Sequence, residues 1–342
     1  MFRGIQYGIL VLLLLCVSCV KQQQSSTTNS QLSTLNSQLL TFSADSAYAY
    51  IEAQVAFGPR VPGTLEHSLC GDWLVAQLQR HGAQVQQQTG TMINYAGQQQ
   101  PIRNITALIE GSSLPAILLC AHWDCRPWSD EEEDYDQRFQ PVLGANDGAS
   151  GVGVILEIVR QLASLKAQGQ AIPTVQVVFF DCEDMGTPTH YTGQERLDTW
   201  CLGSQLWAKE YKLSTLNSQH STLNIQYGIL LDMVGDPLAT FPREYFSMQY
   251  AQGYVEKLWR TAARLGYGRY FVRNTTYYPI TDDHYYINTI AGIPCVDVID
   301  YKADTSTGFS SWWHTQRDDM QNINLQTLQA VGQTVITTIC SR

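Results

Sequence analysis

Nine side chains in this sequence can bind a metal or move a proton, and most of them follow apolar strands or glycine-rich turns. The densest segment is 179–184, where Phe-Phe-Asp-Cys-Glu-Asp ends a β-branched, aromatic run with three carboxylates. Neighbouring carboxylates repel one another, and burying them is costly unless a cation lies between them. The full set is His122, Asp124, Asp147, Glu183, Asp184, Asp232, Asp282, Asp283 and His314. Taken together, these residues indicate a polar site shared by several strand ends.

The donor types in this set favour zinc. Two imidazoles and several carboxylates form a nitrogen and oxygen donor set that suits Zn²⁺ with one coordination position open to substrate. Glu183 directly precedes Asp184, so it can remain free as a general acid/base while its neighbour binds the metal. Taken singly, each residue has a simpler interpretation. His122 could be a core histidine, and Asp147 could be a turn residue or helix cap.

Strands that alternate with helices must position these side chains. The predicted strands cover residues 85–92, 102–110, 116–121, 174–180, 227–231 and 293–299. The predicted helices cover residues 43–56, 66–81, 149–165, 202–211, 251–265 and 325–339. This order predicts an α/β fold, a three-layer α/β/α sandwich around a twisted, mixed and mostly parallel sheet. In such sheets the chemistry collects at the carboxyl ends of the strands.

Composition excludes one class of partner and suggests one large domain. The net charge of −10 and the pI near 5.1 argue against binding to nucleic acid. Residues 45–342 show no shift in composition, so we expect one catalytic domain and a monomer. Seven cysteines lie beyond the N-terminal leader without a CxxC pair, and we interpret most as small buried apolar residues. The acidic segment 130–136 is either a solvated loop or a calcium site.

The N-terminus predicts export. A basic start, a short apolar run and Ser18-Cys19 indicate a lipoprotein signal peptide over residues 1–19, with Cys19 as the lipid anchor. Residues 20–44 are rich in Gln, Ser, Thr and Asn, which is typical of a flexible polar tether. We therefore expect a location in the bacterial cell envelope, on the periplasmic side of a membrane, with contact to the membrane only through the anchor.

Five short motifs, in order along the chain, resemble the zinc aminopeptidases of the M28 clan. They are His122-x-Asp, Asn146-Asp-Gly, the 179–184 segment, Leu230-Leu-Asp-Met and Trp313-His-Thr. Within this clan the sequence is more similar to glutaminyl cyclases of the animal-like bacterial type. That similarity rests on Asp282-Asp-His, on the 309–314 segment and on the 230–235 segment.

The resemblance implies one zinc ion per chain, held by Asp147, Asp184 and His314. It also implies that Glu183 is the acid/base and that Asp232 and Asp282 are hydrogen-bonded acids behind the metal. The pocket would have three aromatic walls, Phe309, Trp313 and Trp200. The peptide bond after Asp147 is expected to be cis.

The implied reaction is the conversion of an N-terminal glutamine of a peptide or protein to pyroglutamate, with release of ammonia. Two alternatives remain open at this point. A dinuclear zinc aminopeptidase would use His122 and Asp232 as additional ligands for a second metal, and both are present. An inactive binding protein could use the same scaffold, although the intact Glu183 argues against it.

Overall fold

A mixed six-stranded sheet forms the centre of the fold. The strands of the described residues include two, the sixth and seventh along the chain, that lie outside this sheet. In chain order the strands are β1 (Gln84–Ile93), β2 (Gln99–Ile109), β3 (Ser113–His122), β4 (Pro173–Phe180), β5 (Ile225–Asp232), β6 (Phe241–Arg243), β7 (Phe271–Thr275) and β8 (Cys295–Ile299). Their order in the large sheet is β1-β2-β4-β3-β5-β8. The last four of these strands are parallel, whereas β1 and β2 add an antiparallel edge. The predicted mixed, mostly parallel sheet is confirmed.

Helices cover both faces of this sheet. They are α1 (Ala44–Val55), α2 (Leu65–Arg80), α3 (Ala149–Ala167), α4 (Leu202–Leu216), α5 (Tyr245–Arg264), α6 (Asp283–Tyr286) and α7 (Leu325–Cys340). On one face, Leu118 and Cys120 of β3 pack with Trp207 of α4. On the other face, a Cβ on Gly151 of α3 would lie only 2.1 Å from the carbonyl oxygen of Leu231. Because successive strand residues point to opposite faces, apolar residues are needed at nearly every position of β3, β4 and β5.

A short helical turn and a small two-stranded sheet accompany the large sheet. A π-helical turn, Ile287–Ala291, continues α6 and packs on α4. Strands β6 and β7 pair as a separate two-stranded sheet, and neither was predicted. Both elements lie between β5 and β8 in sequence, so they follow the carboxyl end of β5 along the chain.

The computed structural model describes residues 41–194, 196–216 and 223–341. The folded unit begins at Phe42, which is buried, and Ser43 caps α1 by accepting a hydrogen bond from the Ser46 amide. This start lies three residues before the boundary expected at residue 45. The expected signal peptide, Cys19 and residues 20–40 of the expected tether lie outside the described residues. Within the described ranges, no helix is both long and apolar enough to cross a membrane.

Candidate active site

Parallel strands bring the candidate residues to one edge of the sheet. His122 is the last residue of β3, residues 181–184 follow β4, and Asp232 is the last residue of β5. The register pairs His122 with Phe180 across β3 and β4, so these strand ends lie level with one another. The sequence therefore places its imidazole and carboxylate groups where open α/β sheets collect their polar chemistry.

Three of the predicted residues converge into one donor cluster. The donor atoms of Asp147, Asp184 and His314 all lie within 4.8 Å of one another, and all three side chains are buried. His314 Nε2 lies 3.1 Å from Asp184 Oδ1 and 3.6 Å from Asp147 Oδ2. Burial raises the pKa of Asp184, but the charge and hydrogen bond of His314, together with the charges of His122 and Arg126, outweigh burial and lower the pKa below its usual value. Asp184 is thus a carboxylate, the form that binds a cation.

The loop that carries Asp147 is fixed by its own hydrogen bonds. Asp318, a residue that the sequence did not single out, accepts hydrogen bonds from the Asn146 and Asp147 amides at 2.7 and 3.0 Å. Gly148 adopts φ +96°, and a Cβ there would lie 2.4 Å from the Asp124 carbonyl oxygen. The loop therefore needs glycine at this position.

The expected cis bond between Asp147 and Gly148 is not found. Among the described residues the cis bond is Leu114–Pro115, so the prediction was wrong. The left-handed conformation of Gly148 supplies the turn with a trans bond instead.

His122 contacts three of the acids in this site. Its Nε2 lies 3.0 Å from Asp147 Oδ1 and 3.2 Å from Asp232 Oδ1, and its Nδ1 lies 3.5 Å from Asp124 Oδ1. Burial lowers the pKa of His122, but these three acids outweigh burial and raise the pKa well above its usual value. Asp124 also accepts hydrogen bonds from the Glu183 and Asp184 amides at 3.2 and 3.3 Å. The His122–Asp124 pair thereby links the ends of β3 and β4.

Glu183 lies in the wall of the cavity beside this cluster. Burial, and then the negative charge of Asp184, raise its pKa well above the usual value for a glutamate. Its Oε1 accepts a hydrogen bond from the Cys201 thiol at 3.1 Å, a contact that the sequence did not reveal. A buried carboxyl with raised basicity has the properties of a general acid/base.

Asp232 and Asp282 line the same cavity, but they are not hydrogen-bonded to each other. Asp232 Oδ1 accepts from His122 Nε2, while Asp282 accepts from the Asp283 amide at the start of α6. Within the described residues no hydrogen bond joins the two acids, unlike the expected direct bond, and Asp282 Oδ2 is buried without a partner. Burial raises the pKa of Asp232 to about 6, and it also raises that of Asp282.

The three predicted aromatic residues lie around a cavity of about 580 Å³. Trp313 stacks on His314 with ring centroids 3.6 Å apart, and Phe309 packs against Trp313 at 4.7 Å. Trp200 lies parallel to the His314 ring at 6.2 Å. The cavity lining also includes Tyr278, whose side chain is exposed. A slot with aromatic walls therefore opens directly onto the donor cluster.

Arg126 and Asp130 hold His314 on the side away from Asp184, and neither residue was singled out from the sequence. Asp130 is buried, accepts hydrogen bonds from Arg126 Nε and Nη2 at 3.0 and 2.7 Å, and lies 3.5 Å from His314 Nδ1. Arg126 also donates to the Asp184 carbonyl at 2.9 Å, and its guanidinium lies over the Trp200 ring. Within the 130–136 segment, Asp130 is thus a structural acid, whereas its acids from 133 onwards are exposed.

The donor set fits zinc. The buried Asp184 Oδ2 has no hydrogen-bond partner among the described residues. An unpaired buried carboxylate oxygen is costly, and a cation bound by two carboxylates and one imidazole removes that cost. The Asp130 carboxylate on the far nitrogen of His314 is the partner that metal-binding histidines usually have.

Comparisons with known proteins agree with this site. The model of peptidase family M28 matches residues 104–339. Among solved structures, a Zn-dependent exopeptidase from Parabacteroides distasonis is 46% identical with a TM-score of 0.81, covering 89% of this chain and 100% of that one. The same four values describe the similarity to Tannerella forsythia glutaminyl cyclase. Bacteroides thetaiotaomicron glutaminyl cyclase bound to N-acetylhistamine is 42% identical with a TM-score of 0.81, covering 89% of this chain and 99% of that one. No curated protein matches the chain.

Proposed function

The chain belongs to peptidase family M28, and from that premise we propose that it is a zinc-dependent glutaminyl-peptide cyclotransferase. It would convert the N-terminal glutamine of peptides or proteins to pyroglutamate and release ammonia. The observation that carries the proposal is one cavity in which the Asp147–Asp184–His314 cluster, Glu183 and the aromatic wall meet. The similarity to solved glutaminyl cyclases supports it.

We assign the metal to Asp147, Asp184 and His314, with one zinc ion per chain. When bound, zinc supplies a Lewis acid for the side-chain amide of the substrate. A second ion would use His122 Nε2, which lies 3.0 Å from Asp147 Oδ1 and 3.2 Å from Asp232 Oδ1.

The reaction needs a proton acceptor close to the α-amine, and Glu183 fills that role. The α-nitrogen forms a bond to the side-chain amide carbon, the bond from that carbon to the amide nitrogen breaks, and ammonia leaves. Glu183 takes one proton from the amine and returns it to the leaving nitrogen. Both reacting groups belong to one residue, so a pocket that holds the glutamine folded supplies a large proximity advantage.

Asp232 and Asp282 complete the polar side of the pocket, where they orient the amine and the leaving amide. Phe309, Trp313 and Trp200 form the apolar side. Aromatic walls of this kind hold the glutamine methylenes and exclude water from the reacting atoms. The substrate residue would therefore lie between a carboxylate wall and an aromatic wall.

Mass spectrometry of two peptides tests the proposal. The purified protein with bound zinc should convert a peptide that begins with Gln into a product lighter by one ammonia, with every peptide bond intact. A matched peptide that begins with Leu should remain unchanged. Cleavage of the Leu peptide without cyclisation of the Gln peptide would contradict the proposal.

A dinuclear aminopeptidase is the second candidate, and one observation favours it. The donor atoms of His122, Asp147 and Asp232 also lie within 4.8 Å of one another.

We expect Asp232→Ala and Asp282→Ala to lower turnover of the Gln peptide sharply while one zinc ion stays bound. Metal analysis that finds two zinc ions in the wild type and one in Asp232→Ala would favour the aminopeptidase.

For the cell, we propose a lipid-anchored enzyme on the periplasmic side of a bacterial envelope membrane, acting as a monomer. The sequence before Cys19 supports export and lipidation. Mass spectrometry of the mature N-terminus should find a diacylated Cys19. A mature chain that starts at another residue without lipid would contradict the anchor.

A further inference from the structure

We propose that Cys201 is a positioning residue for Glu183, holding one carboxyl oxygen so that the other faces the substrate. The proposal rests on the proposed function, because it concerns the acid/base of that reaction. The contact is direct, with 3.1 Å between Cys201 Sγ and Glu183 Oε1 in a buried environment. Among the residues that the structure describes, no other group donates a hydrogen bond to this carboxyl.

The surroundings leave Glu183 without any strong donor. Its charged neighbours are the acids Asp184, Asp282 and Asp283 and the imidazole of His122, and within the described residues none of them donates a hydrogen bond to its carboxyl. A long side chain in this position would be free to rotate among several conformers unless something held it. A thiol is a weak hydrogen-bond donor, so it can fix the orientation of the carboxyl while removing little of its basicity.

The backbone is arranged to bring the sulfur to this place. Cys201 adopts φ +56°, a left-handed conformation that is uncommon for a residue with a side chain. Its amide donates to the Glu183 carbonyl at 2.9 Å, and the Leu202 amide donates to the Cys182 carbonyl at 3.0 Å. These bonds attach the start of α4 to the segment that carries Glu183. Strained conformations of this kind persist where the surrounding structure requires them, and they concentrate at functional sites.

Burial raises the pKa of the Cys201 thiol well above its usual value, so the sulfur keeps the proton that it donates. The neighbouring Cys182 is a natural comparison. It is equally buried, and its φ of +57° is almost the same, but its Sγ points to the Pro101 carbonyl at 3.5 Å and packs with Ile102. Both sulfurs are buried, but only that of Cys201 contacts the Glu183 carboxyl.

Kinetics of matched variants test the proposal. With a Gln-Ala amide as substrate, Cys201→Ala should lower kcat roughly tenfold, the scale of one hydrogen bond, with KM within about twofold. Cys201→Ser should recover part of the loss, whereas Cys182→Ala should stay close to the wild type. Equal kcat values for Cys201→Ala and Cys182→Ala would overturn the proposal.

A double-mutant comparison separates positioning from a general structural effect. If Cys201 acts through Glu183, then Cys201→Ala should cause no further loss of kcat in a Glu183→Gln background. If Cys201→Ala lowers kcat by the same factor in the Glu183→Gln background as in the wild type, the proposal is refuted. Should Cys201→Ala fail to fold, infrared difference spectra of wild type and Glu183→Gln give the answer, because the S–H stretching band of Cys201 should shift. An unchanged S–H band would count against the contact.

The failure of this inference is distinguishable from failure of the proposed function. A wild-type enzyme that cyclises the Gln-Ala amide while Cys201→Ala does so equally well removes the role of Cys201 alone. A wild-type enzyme that cyclises no Gln peptide removes the proposed function.

Discussion

Glu183 is the residue on which the proposed chemistry depends most directly. Glu183→Gln keeps the size of the side chain but removes the proton acceptor. We expect kcat for a Gln peptide to fall by roughly 10² to 10⁴, the usual contribution of a positioned acid/base. KM should change much less, because the lost interaction is made in the transition state. Zinc content should match the wild type, since Glu183 is not assigned as a ligand. A variant with near-normal kcat would contradict the assigned role.

At the same scale, the sequence identifies residues that follow a motif and misses those that support them. Asp184 could be predicted because a buried strand ended in adjacent carboxylates. His314 belonged to the donor set as its second imidazole, and its role as a metal ligand was implied by the resemblance. Cys201 and Asp130 carry no signal of their own. Each works through a contact with a residue far away in sequence, at 18 residues for Cys201–Glu183, and such contacts form only when the chain has folded.

The loop between β3 and α3 holds the imidazole of His314 in place through Asp130. Asp130 accepts two hydrogen bonds from Arg126, and Thr189 donates its amide to it at 3.0 Å, so the carboxylate that faces His314 Nδ1 cannot turn away. Carboxylates in this position orient metal-binding histidines. The loop therefore contributes to metal affinity without contacting the metal.

Asp130→Asn should weaken zinc binding about 10- to 100-fold, the usual effect of losing such a partner. The comparison is Asp136→Asn, an exposed acid of the same loop, which should bind zinc as the wild type does. Competition with a chelator of known zinc affinity measures both variants. If the two variants hold zinc equally well, Asp130 does not orient His314.

Helices and strands were predicted well where a long sequence pattern specified them. They were predicted poorly where only a few residues specified an element or its start. The parallel strands read as continuous apolar runs, which is typical of strands buried on both faces. Strand β6 has only three residues, so no periodicity could reveal it. Helix α5 begins at Tyr245, six residues before the predicted start, because Glu244 caps it with hydrogen bonds to the Phe246 and Ser247 amides. Glutamate is not among the usual capping residues, so the signal was absent.

For the whole molecule, the buried Glu244 predicts a specific loss of stability in acid. Burial raises its pKa, but the charge and hydrogen bond of His284 and the backbone amides outweigh burial and lower the pKa from 4.5 to about 2. A lowered folded pKa contributes stability above pH 4.5, and this contribution is lost as the pH falls toward 2. The shift corresponds to about 3 kcal/mol of unfolding free energy.

Glu244→Gln should therefore be less stable than the wild type at pH 7, and the difference should shrink between pH 4.5 and pH 2. Denaturant unfolding at several pH values measures it. Glu256→Gln, at an exposed position of the same helix, is the control and should follow the wild-type curve. A constant difference between Glu244→Gln and the wild type across this range would contradict the assignment.

The charge of the cavity predicts which peptides the enzyme prefers. Six carboxyl groups line it, those of Asp147, Glu183, Asp184, Asp198, Asp232 and Asp282, and none of the described lining residues is Lys or Arg. Burial raises the pKa of Glu183, Asp232 and Asp282 and so reduces this charge, and one zinc ion would offset part of what remains. Outside the donor cluster the lining includes Tyr278, Tyr301 and Phe309, which offer apolar contact to the second residue of a peptide. An acidic second residue would meet like charge without a counter-ion.

We therefore expect kcat/KM to be at least about tenfold lower for a Gln-Glu-Ala amide than for a Gln-Gln-Ala amide, which has nearly the same shape without the charge. Two like charges repel by about 1 kcal/mol at 4 Å in water and by more beside a protein, and tenfold corresponds to 1.4 kcal/mol. Salt should narrow the difference, because it screens charges that solvent can reach. A Gln-Phe-Ala amide should be a better substrate than either, because Tyr278 and Phe309 can pack against its ring. Equal kcat/KM values for the Glu and Gln peptides at low salt would mean that the second residue does not meet this wall of carboxylates.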